Sequence, residues 1–100
     1  MLLFVRNPYY AAIREGTKRY EMRAGHRYRN IRVGDQLSIN GRFRVTVSRV
    51  EIFDRAEEAS RASSAAGYYL SVAAIRACYP EGSGPIYFFH FHRAAGKLAA

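Results

Sequence analysis

Between residues 42 and 53 the chain alternates. Phe43, Val45 and Val47 fall on one parity, and Arg42, Arg44, Thr46 and Ser48 on the other. A period of two predicts a β-strand with one buried face. The parity slips at Val50 and Ile52, so a bulge or bend is expected at Ser48–Arg49. Such a bend suits a strand that curves around a barrel. Asn40-Gly41 is the strongest short hairpin signal in the chain and predicts that Gln36 to Ile39 pairs with this strand. Residues 2–6 and 18–23 read as two further strands. Pro85 to His92 reads as a last one, apolar enough at Ile86, Tyr87, Phe88, Phe89 and Phe91 to be central.

Helical spacing accounts for much of the rest. Asn7-Pro8 looks like a cap followed by the first helical residue. Tyr9, Ala12 and Ile13 give one apolar face, and Gly16 is a natural stop. Asp54 is placed to cap a helix through Ala56 to Arg61, with Ser60 to Gly67 expected as a loop. Leu70, Ala73, Ala74 and Ala77 predict a helix over Tyr69 to Tyr79, ended before Pro80. Ala24 to Arg32 has weak periodicity and reads as a long, basic, exposed loop. Hairpins outnumber regular crossovers in this order. The expectation is an α+β fold: a small, mostly antiparallel curved sheet or barrel with helices at one side.

Length and charge narrow the field. One hundred residues make one domain, expected over residues 1–93 with residues 94–100 as a frayed tail. Sixteen Lys and Arg against eight acids leave a net charge of +8, which favours a polyanionic partner, nucleic acid before membrane surface. A single cysteine, Cys78, permits no internal disulfide and no cysteine-based zinc site, so a reducing cytoplasm is the expected setting. Cys78 itself reads as a packed thiol. The apolar start, five residues meeting Arg6, is too short for a signal core or a membrane span.

The charge is concentrated. Arg14, Lys18, Arg19, Arg23, Arg27, Arg29 and Arg32 lie within nineteen residues, with Tyr20, Tyr28 and His26 among them. Guanidinium forks suit phosphate oxygens and tyrosine rings stack on bases, the combination a single-stranded RNA site uses. The alternative is a solvated basic loop. Lys18 and Glu21 would point to opposite faces if both lay in one strand. If Lys18 sits on the turn after Gly16, both converge on one cleft, either as a working site or as an ion pair that only shapes the fold. His90 and His92 share a face, but no third ligand is evident, so neither a metal nor a cofactor is expected.

Four elements carry a resemblance to the ASCH domain family of the PUA-like superfamily. They are the strand and helix from Phe4 to Ile13; Gly16-Thr17-Lys18-Arg19-Tyr20-Glu21-Met22-Arg23, which fits G-x-K-x-x-E-x-R; Ile31-Arg32-Val33-Gly34-Asp35-Gln36-Leu37; and Tyr79-Pro80 before the last strand. The resemblance implies a small PUA-like β-barrel of five to six strands flanked by two to three helices. It also implies a cleft lined by Lys18, Glu21 and Arg23, and RNA or a nucleotide as partner. Nucleic-acid contacts are expected from Lys18, Arg19, Arg23, Arg27, Arg29, Arg32 and Tyr28. Some members resemble ribonucleases, which would make Lys18, Glu21 and Tyr20 the catalytic group. One branch hydrolyses N4-acetylcytidine with a lysine, a threonine three residues on and a later glutamate. Here Glu21 fills the threonine position and Ser63-Ser64 stands in the later region, so that activity is the lesser alternative. A protein partner on the same fold is a further one.

Overall fold

The most apolar strand of the sequence sits inside the sheet. In the computed structural model, which describes residues 1–94, the strands are β1 (Leu2–Leu3), β2 (Tyr20–Ala24), β3 (Gln36–Ile39), β4 (Phe43–Phe53) and β5 (Ile86–Arg93). They form one sheet in the order β1-β3-β4-β5-β2, antiparallel except where β1 runs parallel to β3. The helices are α1 (Tyr9–Glu15), α2 (Ala56–Ala65) and α3 (Val72–Cys78), and a 3₁₀ turn covers His26–Tyr28. The α+β expectation therefore holds, with five strands and three helices. The backbone ladder does not close into a barrel: β1 and β2 are its two edges.

Because β5 is covered on both faces, alternate residues enter two cores. Tyr87, Phe89 and Phe91 pack inside the curl of the sheet with Leu3, Val5, Ile13, Leu37, Ile39, Val45 and Val47. Ile86 and Phe88 pack on the other face with Tyr20, Met22, Ala56, Ala59 and Ile75, under α2 and α3. Truncating a residue as enclosed as Phe88 to alanine costs about 3–5 kcal/mol. The register shift in β4 falls between Val47 and Arg49, as the parity slip predicts. Beyond it Val50 packs on the inner core and Phe53 on the outer one.

Asn40 explains both the hairpin and the short first strand. Asn40 (φ 54°) and Gly41 (φ 69°) both have positive φ, as a tight primed turn between right-twisted strands requires. The Asn40 side chain then accepts a hydrogen bond from Val5 N–H (2.6 Å) and donates one to Val5 C=O (2.8 Å). Past Leu3 the expected strand over residues 2–6 is thus held by a side-chain amide in place of a neighbouring backbone.

Three helical expectations shift. Helix α1 starts at Tyr9 and stops at Gly16 (φ 87°), with Asn7 Oδ1 accepting from Ala11 N–H at 3.1 Å. Helix α2 runs on to Ala65, over most of the expected loop at Ser60 to Gly67, because Ser60 and Ser63 turn inward and bond Leu70: Ser60 Oγ donates to its carbonyl at 2.7 Å and Ser63 Oγ accepts from its N–H at 2.8 Å. That pinning holds the chain out of helix until Ser71 caps α3 by accepting from Ala74 N–H at 3.1 Å. Ala94 is buried and donates its N–H to Arg44 C=O at 3.0 Å, so order extends through it. The rest of the expected frayed tail lies outside the described residues. Among the described residues no helix is long and apolar enough to cross a membrane.

Candidate functional site

The glycine at the end of α1 places Lys18. After Gly16 turns left-handed, Thr17 and Lys18 both donate their N–H groups to Ala12 C=O, at 3.0 and 3.1 Å. Lys18 therefore lies on the turn and not in β2, and its side chain can meet that of Glu21. Lys18 Nζ donates to Glu21 Oε1 at 2.8 Å and to Tyr20 C=O at 2.7 Å. Arg23, one strand period on, donates from Nε (3.2 Å) and Nη2 (2.8 Å) to Glu21 Oε2. Lys18 is 2% exposed, and the side chains of Glu21 and Arg23 are 10% and 17% exposed.

Arg23 also joins the sheet edges. Its Nη2 donates to Phe4 C=O at 2.8 Å, linking β2 to the stretch that continues β1. A side chain thus spans the seam where a closed barrel would have a backbone ladder. Beside it opens a cleft of about 510 Å³. Phe4 and Arg6 line one bank, Ala74, Ile75 and Cys78 of α3 the other, and Lys18, Glu21 and Arg23 lie within it. Tyr79 hydroxyl donates to Met22 C=O at 2.7 Å and fixes the end of α3 to β2. Among the described residues lining the cleft, Glu21 is the one carboxylate.

Burial acts against both cations of the network. Burial holds the Lys18 ammonium below its ordinary pKa, although Glu21 opposes the shift. Burial also works against the Arg23 charge, but there the Glu21 carboxylate prevails and raises its pKa. The Lys18 ammonium lies 4.2 Å from the Tyr20 ring centroid, with the Tyr9 ring at 5.7 Å, a cation–π setting that partly replaces lost hydration. One N–H of the ammonium and one lone pair of Glu21 Oε1 remain after the pairings above.

Several expected site residues stand elsewhere. Tyr20 is fully buried, its ring stacked on Phe88 at 4.4 Å, and its hydroxyl donates to Tyr68 C=O. Burial pushes its pKa up, and Tyr20 walls the lysine without lining the cleft. Tyr28 is buried in the inner core, so the expected exposed loop is anchored there and its ring is not free to stack on a base. Arg27, Arg29 and Arg32 are exposed and do not line the cleft; Arg29 Nη1 is tied to His26 C=O at 2.9 Å. Arg19 is exposed on a different hollow.

Cys78 is exposed, not packed: its Sγ lies 3.8 Å from Arg6 Nη2 at the cleft. His90 Nε2 pairs with Glu51 Oε1 at 2.8 Å, while His92 is exposed. Among the described residues no three His, Cys, Asp or Glu side chains gather as a metal site. Phe4 and Arg6 were not expected at the site. Their signal was the alternation of residues 3–6, which buries Leu3 and Val5 and exposes the other pair.

No protein-family model matches the chain, and no curated protein does. Solved structures share its fold, two of them as follows. The crystal structure of hypothetical protein PH0355 superposes with a TM-score of 0.80 at 17% identity, over 93% of this chain and 97% of that one. The solution NMR structure of protein PF0455 from Pyrococcus furiosus gives a TM-score of 0.66 at 17% identity, over 92% and 94%. At that identity the likeness concerns the fold.

Proposed function

We propose that this protein is an ASCH-like binding module that takes an RNA base or nucleotide in the cleft beside Lys18, Glu21 and Arg23. The observation that supports it most is the fixed Lys18–Glu21–Arg23 network inside an open cleft. The unspent lysine N–H and the free Glu21 lone pair form a donor beside an acceptor. A nucleobase edge with a ring nitrogen next to an exocyclic amine is complementary to that pair. Tyr9, Leu70 and Ile75 provide apolar walls for a flat ring. Exposed Arg27, Arg29 and Arg32 act at a distance, attracting phosphates without touching the base.

Affinity for a short single-stranded RNA, measured against salt, tests this reading. Lys18→Met should weaken binding at least about tenfold, as expected for losing a hydrogen bond to a charged group. Arg27→Ala with Arg29→Ala should make the log–log salt slope shallower by about 1.4, two phosphate contacts at the single-strand value. Unchanged affinity and slope in both variants would sink the proposal.

One observation favours a second, enzymatic reading. A lysine whose pKa is lowered by burial is suited to proton transfer near neutral pH. Cleavage of RNA or hydrolysis of a modified nucleoside would then run on Lys18 with Glu21 as its partner. Glu57 and Glu58 do not line the cleft, which weighs against the amidohydrolase form. A denaturing gel of labelled RNA separates the readings: cleavage by wild type and not by Lys18→Ala favours the enzyme, and intact RNA in both lanes the binding module.

A further inference from the structure

Lys18 lines two hollows. One is the cleft, and the second, about 460 Å³, lies between the end of α1 and the end of β5. Ile13, Val45 and Phe91 are among its apolar residues, and Arg14, Arg19, His92 and Arg93 among its basic ones. The helix end, Ile13 to Arg19, and the last strand, Phe91 to Arg93, are far apart in sequence and meet only because β5 returns beside the helix.

Two of the guanidinium groups are fixed in place. Arg93 Nη2 donates to Arg14 C=O at 3.0 Å, and its guanidinium lies 3.9 Å from the Phe43 ring centroid. Arg19 Nε donates to Gly16 C=O at 3.2 Å. In the same turn Ala12 C=O accepts from Thr17 and Lys18, and Ile13 C=O from Gly16. Arg93 on Arg14 C=O and Arg19 on Gly16 C=O place positive charge at the negative end of the helix. Each of these arginines spends one donor on a carbonyl and keeps the rest of its fork. Glu15 is the one carboxylate lining the hollow. It pairs with Arg14 at 3.8 Å with both side chains more than half exposed, a contact worth little in water.

We propose that this second hollow is a phosphate-binding site, in which Arg19 and Arg93 present prepositioned N–H forks and Arg14 adds charge at the rim. The ligand class is a phosphate group, from a free nucleotide or from an RNA backbone. Tethering and stacking give the forks a fixed aim before binding, which lowers the ordering cost that a loose surface arginine carries. This site stands apart from the base-binding reading of the cleft.

The test titrates inorganic pyrophosphate into ¹⁵N-labelled protein, with sodium chloride at matched ionic strength as control. Saturable shifts at the amides of Gly16, Arg19 and His92, absent with chloride and reduced at least about fivefold in Arg19→Gln/Arg93→Gln, are expected. Arg14→Gln, whose guanidinium holds no carbonyl, should weaken the same shifts and serves if the double variant does not fold. Shifts that stay linear and match those of chloride would overturn the site. A ten-nucleotide RNA distinguishes the sources. If its salt slope becomes shallower by about 1.4 in the double variant, the phosphate belongs to the backbone. If pyrophosphate saturates and the RNA slope is unchanged, the site serves free phosphates. Saturation by pyrophosphate with no RNA binding at all would remove the RNA form of the function proposed for the cleft and leave this site standing.

Discussion

Replacing Glu21 by glutamine should expose how much the buried network depends on its single negative charge. The side chains keep their shape, but Lys18, 2% exposed, loses its counter-ion and keeps Arg23 nearby. At 2.8 Å and an effective dielectric near 20, the lost attraction is about 6 kcal/mol. That attraction had been offsetting a desolvation cost of several kcal/mol per ion. Removing one partner of a buried pair therefore leaves a net loss of about 3–5 kcal/mol. For a domain of this size that corresponds to a fall in melting temperature of at least about 12 °C.

The pH dependence identifies the cause. Burial already holds Lys18 below its ordinary pKa when folded, and removing Glu21 lowers it further. Between a lowered folded pKa and the higher unfolded one, the unfolded chain binds more protons, so stability rises with pH. The variant enters this range at lower pH than the wild type. The gap in melting temperature should thus narrow as pH rises through this range, below the ordinary lysine value of about 10.4. Circular-dichroism melts of both proteins across that range measure it. Adding Lys18→Met to Glu21→Gln should recover most of the loss, since apolar replacement of a buried pair is often neutral or better. A drop below about 4 °C, or a gap that does not change with pH, would refute the account of Glu21 as the counter-charge that keeps Lys18 ionised.

Two further substitutions test the scaffold. Asn40→Ala removes both side-chain bonds to Val5 and leaves a non-glycine residue at φ 54°. It should cost about 2–3 kcal/mol and speed amide exchange at Leu3 and Val5, and unaltered exchange there would show that the edge is held by other contacts. Ser63→Ala leaves the Leu70 N–H without its acceptor, with an expected loss of about 1–3 kcal/mol in urea denaturation. Wild-type stability in that variant would mean the serine is replaceable by water.

Local signals in the sequence were enough to place most elements. The alternation of Phe43, Val45 and Val47 and its slip before Val50 located β4 and its bulge. Asn40-Gly41 located the hairpin, and Gly16 the end of α1. These are period and turn effects, set by residues a few positions apart. Helix α2 outlasts its expected end because serines are poor helix formers on average, and nothing near Ser60 and Ser63 announces that their hydroxyls will bond the Leu70 backbone.

The composition of the site was also legible: Lys18, Glu21 and Arg23 fall within six residues. Their convergence was not, because it depends on whether Lys18 lies in the strand or on the turn before it. Tertiary structure decided that. Packing of Ala12 and Ile13 holds α1 against the sheet, and the bonds from Thr17 and Lys18 to Ala12 C=O then keep Lys18 out of β2. It likewise buried Tyr20 and Tyr28, which a basic, aromatic-rich stretch had offered to a ligand, and exposed Cys78. Arg19 and Arg93 came together only through the return of β5. Short-range order follows from local propensity and periodicity. The surface a side chain shares is set by contacts between segments distant in sequence, where burial of apolar area outweighs local preference.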